Sequence, residues 1–176
     1  DPPSTLPRYD EQQALAPLED KYEYIASLPI TWRFWADDEN ISTFGGGSIG
    51  KPDWQLGGQS YSNWRTIRTD DYFENQGVQF NGHAWYHTEF DIPASLAGKK
   101  ISLHFPGITL HPVVGSQIHV NGKLHWGLLA HKEHDVLVVD ITEAATPGSK
   151  NVVVIKIFNY GGPGGIYRSV KLAVRR

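Results

Sequence analysis

Alternation at every second residue constrains this chain more than any other feature. Over His83–Ile92, Ala84, Tyr86, Thr88, Phe90 and Ile92 fall on one face, and His83, Trp85, His87, Glu89 and Asp91 on the other. A period of two marks a strand with one face turned to a core. Pro93 ends the run, because proline cannot donate to a ladder. Lys100–Phe105 repeats the pattern, with Ile101, Leu103 and Phe105 inward and Ser102 and His104 outward. Gln117–Val120 meets Lys123–Trp126 across Asn121-Gly122, two residues able to take the positive φ that a tight hairpin demands. Leu28–Trp35, Trp64–Arg68, His134–Ile141, Asn151–Asn159 and Ile166–Val174 read as further strands. Helical periodicity is confined to Tyr9–Leu18 and a turn at Pro93–Leu96. Strands at this spacing, with turn residues between them, predict an all-β fold: an antiparallel jelly-roll β-sandwich.

Composition closes several alternatives. The 176 residues fit one domain with a real core, and 40% hydrophobic with 20% charged residues is ordinary for a globular protein. Residues 1–27, Pro-rich at first, read as an N-terminal strap or linker, and 28–176 as the jelly-roll domain. A net charge of −3 without a dense basic cluster argues against a nucleic-acid partner. No apolar run approaches the roughly 20 residues that span a bilayer, so no membrane partner is expected. There is no cysteine, which removes disulfides and thiolate metal sites. The opening Asp1-Pro2-Pro3-Ser4, in a chain without Met, reads as a mature terminus or an excised fragment, not a translation start; the expected location is secreted, extracellular or periplasmic.

The chain ends on a second constraining feature. A β-branched run, Val152 to Ile157, enters Phe158-Asn159-Tyr160-Gly161-Gly162-Pro163-Gly164-Gly165, and a new strand leaves with Ile166-Tyr167-Arg168-Ser169-Val170. Glycine there permits positive φ and close backbone approach, so the loop can be tight. Earlier segments fall in a specific order: Trp32-Arg33-Phe34, Trp64, Phe73-Glu74-Asn75-Gln76-Gly77, Gly82 to Pro93 with Trp85-Tyr86, Ser102-Leu103-His104-Phe105, Val120-Asn121-Gly122-Lys123, Asp140-Ile141-Thr142 and Pro147-Gly148. Together they resemble the sugar-binding domain that opens family 2 glycoside hydrolases, the β-galactosidases and β-glucuronidases, over roughly residues 30–174. The resemblance implies a galactose-binding-domain-like sandwich that handles carbohydrate or scaffolds an enzyme. It implies no glycosidase activity for the chain itself, because the family's catalytic barrel has no counterpart here. Two stretches depart from the family pattern: the segment Trp126–His134, and His87, where Arg or Gln is usual.

Acidic residues cluster at Asp37-Asp38-Glu39 and Asp70-Asp71, in loops, without the facing pair that sugar hydrolysis needs. The Gly-x-Ser-x-Gly spacing occurs only at Gly46–Gly50, within the loop-rich stretch Ala36 to Asn63, so no acyl-transfer triad is expected; the glycine loop after Asn159 has neither phosphate-binding spacing nor a following helix. His87, His104 and His119 sit at outward strand positions, where on one sheet they could approach one another around a metal, but polar-surface or glycan hydrogen bonding is the favoured role, and His131 and His134 share a loop without zinc-motif carboxylate spacing. No metal or cofactor is called for, and a structural calcium is possible but not predicted. Aromatic content carries the positive reading: six Trp and eight Tyr exceed what a small core needs. Flat rings stack on pyranose faces, while Asn, His or Arg bind the hydroxyls. The candidate carbohydrate contacts are Trp54, Trp85, His87, Trp126, Asn159, Tyr160, Tyr167 and Arg168. The expected function is a non-catalytic carbohydrate-binding module of a polysaccharide-degrading glycoside hydrolase, its partners a poly- or oligosaccharide and a covalently linked catalytic domain. The alternative is a structural accessory domain with no affinity for free glycan, marked by an exposed apolar patch.

Overall fold

The computed structural model describes residues 11–36, 61–79, 82–109, 116–125, 136–159 and 161–176. Two antiparallel sheets pack face to face. The smaller has the order β1 (Tyr22–Ser27), β10 (Lys171–Arg175), β5 (Ile101–Phe105) and β8 (Leu137–Asp140). The larger runs β3 (Arg65–Arg68), β2 (Thr31–Ala36), β4 (Gly82–Asp91), β9 (Lys150–Asn159), β6 (Gln117–Val120) and β7 (Lys123–His125). The sandwich expected from the alternation is present.

Its spine is the ladder between β4 and β9, paired without interruption from Gly82↔Asn159 to Asp91↔Lys150. The inward residues named from the sequence form the core. Tyr86, Leu103 and Phe105 are fully buried, with Trp32, Phe34, Ile155 and Ile157 beside them. Each large apolar side chain buried this way contributes roughly 2–3 kcal/mol. The β6–β7 hairpin turns on Asn121 (φ 49°) and Gly122 (φ 80°), as the Asn-Gly pair requires. Asn121 also works at a distance: its amide donates to the Asn151 Oδ1 at 2.7 Å, and its oxygen accepts the Val152 N–H at 2.9 Å.

The boundary at residue 27 needs adjustment. Within the strap, Glu11–Leu15 is a short helix (α1), but Tyr22–Ser27 is a strand of the smaller sheet, paired from Tyr22↔Arg175 to Ser27↔Lys171. A shift in register between Tyr24 and Ala26 interrupts the Tyr-Glu-Tyr alternation and obscures the strand in the sequence. The strap is pinned by Glu11, 2.8 Å from Lys171, and by the Tyr24 hydroxyl, 2.9 Å from His104 Nδ1.

His83, Trp85, His87, His104 and His119 do lie on outer sheet faces, yet all are buried. On the smaller sheet, Tyr22 and Tyr24 meet the His104 ring edge-on, and the Ser102 hydroxyl lies 3.0 Å from its Nε2. On the larger sheet, aromatic residues outside β4 supply the cover. Alternation distinguishes two faces, but not whether the outer one is wet.

Candidate functional site

Two regions gather the candidate residues. The first is the glycine loop. Gly164 N–H donates to Glu74 Oε2 at 2.9 Å, and Asn159 Nδ2 donates to Glu74 Oε1 at 3.1 Å and to the Gly162 carbonyl at 3.2 Å. Phe73 N–H returns a bond to the Gly164 carbonyl, 3.1 Å. Gly165 sits at φ 102°, and a Cβ there would press on the Tyr86 hydroxyl and lie 2.8 Å from Phe73 Cδ1. No other residue fits this position. The Tyr86 hydroxyl accepts from Ile166 N–H at 3.3 Å; full burial pushes its pKa up, keeping it protonated.

The Glu-x-Gln-Gly segment acquires a physical meaning from this geometry. Glu74 clasps the loop. Gln76 ties the end of β3 to the turn that follows it: its amide donates to the Arg68 carbonyl at 2.9 Å and its oxygen accepts the Arg68 N–H at 2.7 Å. Gly77, at φ 86°, closes the 3₁₀ turn. Burial raises the Glu74 pKa against the opposing pull of the Gly164 and Asn159 bonds.

Among the expected sugar contacts here, Asn159 is 2% exposed and serves this clasp, and Tyr167 is fully buried against Tyr72, ring centroids 4.7 Å apart. Tyr167 N–H donates to the Gly107 carbonyl at 2.9 Å. Arg168 is half-buried, its guanidinium 6.0 Å from the Tyr167 ring centre. The side chains of Asn159 and Tyr167 thus face protein, not solvent, because the loop they flank folds back into the domain. Tyr160 lies outside the described residues, as do Trp54 and Trp126.

The second region is the outer face of the larger sheet. Trp35 of β2 pairs with Trp85 of β4, which pairs with Lys156 of β9; Arg33 pairs with His87, and His87 with Val154. Trp85 is 1% exposed, enclosed by Trp64 and Val154 with its ring under the Lys156 ammonium at 5.5 Å. As the base of an aromatic stack, it has no free face for a sugar. Tyr61 lies flat on His87, centroids 3.5 Å and planes 11° apart, and meets Trp64 edge-on at 4.8 Å. His87 is accordingly covered, and burial, then the Arg33 charge, pushes its pKa down to about 4, so the ring is neutral. Among the described residues, the half-buried rings of this stack are Trp35 and Tyr61, beside exposed Arg33, whose guanidinium donates to the Trp64 carbonyl at 3.1 Å. Neither ring is among the contacts expected from the sequence. The β2 alternation, with Trp32 and Phe34 in the core, was the signal that Trp35 turns outward.

Among the described residues, no group of three or more His, Asp or Glu side chains could hold a metal ion, and no helix is long and apolar enough to cross a membrane.

This sandwich recurs in solved structures of β-glucuronidase from Ruminococcus gnavus. The complex of that enzyme with D-glucuronic acid matches at TM-score 0.69 and 24% identity over 89% of this chain, using 30% of the enzyme's length. The apo enzyme matches equally well, over 29% of its length. The fold is that of a β-glucuronidase domain. The fold implied by the sequence resemblance is therefore the fold present, and the chain spans less than a third of the enzymes it matches. No protein-family model matches the chain, and no curated protein matches it in sequence.

Proposed function

We propose that the chain is a non-catalytic carbohydrate-binding module of a glycoside hydrolase, holding glycan on the outer face of its larger sheet. The observation that carries this reading is the aromatic stack capped by half-buried Trp35 and Tyr61, with Arg33 alongside. A pyranose ring lies on such rings through its C–H face, and a guanidinium beside them bonds its hydroxyls. Trp85 and His87 contribute from below by fixing the platform, a rigidity that lowers the entropy cost of binding. The module would raise the local concentration of substrate for a linked catalytic domain.

The competing reading is a structural domain with no affinity for free glycan. The internal use of Asn159 and Tyr167 favours it. Against it, Ile30, at 44% exposure, is the only exposed large hydrophobic side chain among the described residues, which leaves little apolar surface for a docked barrel. Affinity electrophoresis against a panel of soluble polysaccharides separates the two. Retardation by one glycan class, abolished in Tyr61→Ala and weakened in Trp35→Ala, is the expected result. Migration unchanged across the whole panel would sink the binding reading in favour of the structural one.

A further inference from the structure

Some cations of this domain are held in ion pairs. Arg68, Lys123, Lys150 and Lys171 pair with Asp70, Glu143, Asp91 and Glu11. Lys21, Lys99, Lys100, Arg175 and Arg176 are all exposed, and none of the five takes part in an ion pair among the described residues. Strand pairing brings these five together. Antiparallel order sets the start of β1, the end of β10 and the start of β5 at one end of the smaller sheet, where Tyr22 opposes Arg175 and Val174 opposes Ile101. Backbone bonds hold that end: Arg175 N–H to the Lys100 carbonyl at 2.9 Å, and Arg176 N–H to the Lys21 carbonyl at 2.8 Å.

A cleft of about 600 Å³ opens there, lined by Lys99, Lys100, Arg175 and Arg176 around Val174, with Glu23 its single carboxylate. A smaller one of about 80 Å³ adjoins it, sharing Lys100 and Arg175 and adding Tyr22. Its Asp140 is already engaged, accepting from the Thr142 hydroxyl at 2.6 Å and its N–H at 2.9 Å. Two guanidinium groups in the cleft are preorganised: Arg175 lies 6.0 Å from the Tyr22 ring centre, and Arg176 Nε donates to the Glu19 carbonyl at 2.8 Å. A planar guanidinium matches a carboxylate or sulfate with two parallel bonds, and flanking ammonium groups add charge. In a chain of net charge −3, four cations facing one carboxylate in a single cleft is a local reversal of sign.

We infer that this cleft binds the anionic groups of an acidic glycan, carboxylate or sulfate, at a site separate from the aromatic platform. The inference rests on the carbohydrate-binding reading and names the class of sugar.

The test measures affinity electrophoresis of the domain against polygalacturonate, dextran sulfate, uncharged dextran and poly-L-glutamate, at low and high salt. Two double variants are compared, K99E/K100E in the cleft and K123E/K150E among the paired cations, which change net charge equally. The expected result is binding of an acidic polysaccharide, weakened by salt and weakened at least about tenfold in K99E/K100E but far less in K123E/K150E. The polygalacturonate and dextran sulfate arms distinguish a carboxylate from a sulfate ligand. Equal losses in both double variants would reduce the effect to net charge and overturn the site. Binding of poly-L-glutamate as tight as that of the glycans would overturn the assignment to sugar, as would no binding of either acidic polysaccharide. Tyr61→Ala keeps the two ideas apart. A neutral glycan lost in Tyr61→Ala, with acidic ones ignored, ends the cleft proposal alone. Acidic glycans held in Tyr61→Ala and lost in K99E/K100E end the platform alone.

Discussion

The glycine loop and the outer face of the larger sheet hold most of the candidate residues, and they use them in opposite ways. In the loop, polar groups are turned inward: Glu74 accepts from Asn159 and Gly164, the Tyr86 hydroxyl accepts from the Ile166 N–H, and Tyr167 fills a buried slot. On the outer face, aromatic rings accumulate beyond what the core requires, and two of them, Trp35 and Tyr61, are half-buried beside an exposed arginine. The difference teaches that dense local motifs mark places where backbone geometry is demanding. A ligand surface needs side chains from several strands, each unremarkable in its own segment.

The sharpest way to break this comparison is Gly165→Ala. The added Cβ meets Tyr86 and Phe73 at a backbone angle that L-residues avoid, so a loss of about 3 kcal/mol or more is expected in urea unfolding. A near-neutral result would mean the loop is not clasped as described. Glu74→Ala comes next. It leaves the Gly164 N–H without its acceptor and takes from the Asn159 amide one of its two, at a cost of about 1–3 kcal/mol. Glu74→Gln isolates the charge. The carboxyl pKa is raised by burial, so the folded state favours the proton, and that contribution is present at acid pH and lost as pH rises through the folded value. The parent should therefore lose melting temperature relative to Glu74→Gln on going from acid to neutral pH; a pH-independent difference would refute this.

The histidines titrate with the opposite sign. His87, His104 and His119 have folded pKa values near 4 against an ordinary value of 6.5, each lowered chiefly by burial. Between those limits the unfolded chain binds more protons, so stability should fall as pH drops from about 6.5 to about 4. A shallower decline is expected in His104→Gln, measured by denaturant midpoints across that range. The smallest effect on stability belongs to Tyr61→Ala, about 1 kcal/mol or less at a half-buried position, although it removes the upper ring of the platform. A large loss of stability there would place Tyr61 with the core residues.

Much of the fold was legible because it obeys a simple period. Ala84, Tyr86 and Phe90, or Ile101, Leu103 and Phe105, announce a buried face by spacing alone, and Asn121-Gly122 announces its turn by backbone chemistry. Strand β1 was hidden, since its register shift breaks the alternation at Tyr24 and Ala26. The site was less legible for a different reason. Whether Trp85 is wet depends on Trp64 and Lys156, which lie far from it in sequence, and cover from remote segments leaves no local trace. His104 is the same case on the smaller sheet, covered by Tyr22 and Tyr24.

The pairing of the first strand with the last has a mechanical consequence. Tyr22 stands opposite Arg175, so the chain enters β1 and leaves β10 at the same end of one ladder. Tension drawn through those two points loads the rungs in succession, opening them like a zip instead of shearing them together. The Arg176–Lys21 bond yields first, then the Tyr22 pair, until the bond between Tyr24 and His104 is reached. Under pull, the strap is the part of the domain that peels, and the imidazole locked beneath it is the catch that decides how far.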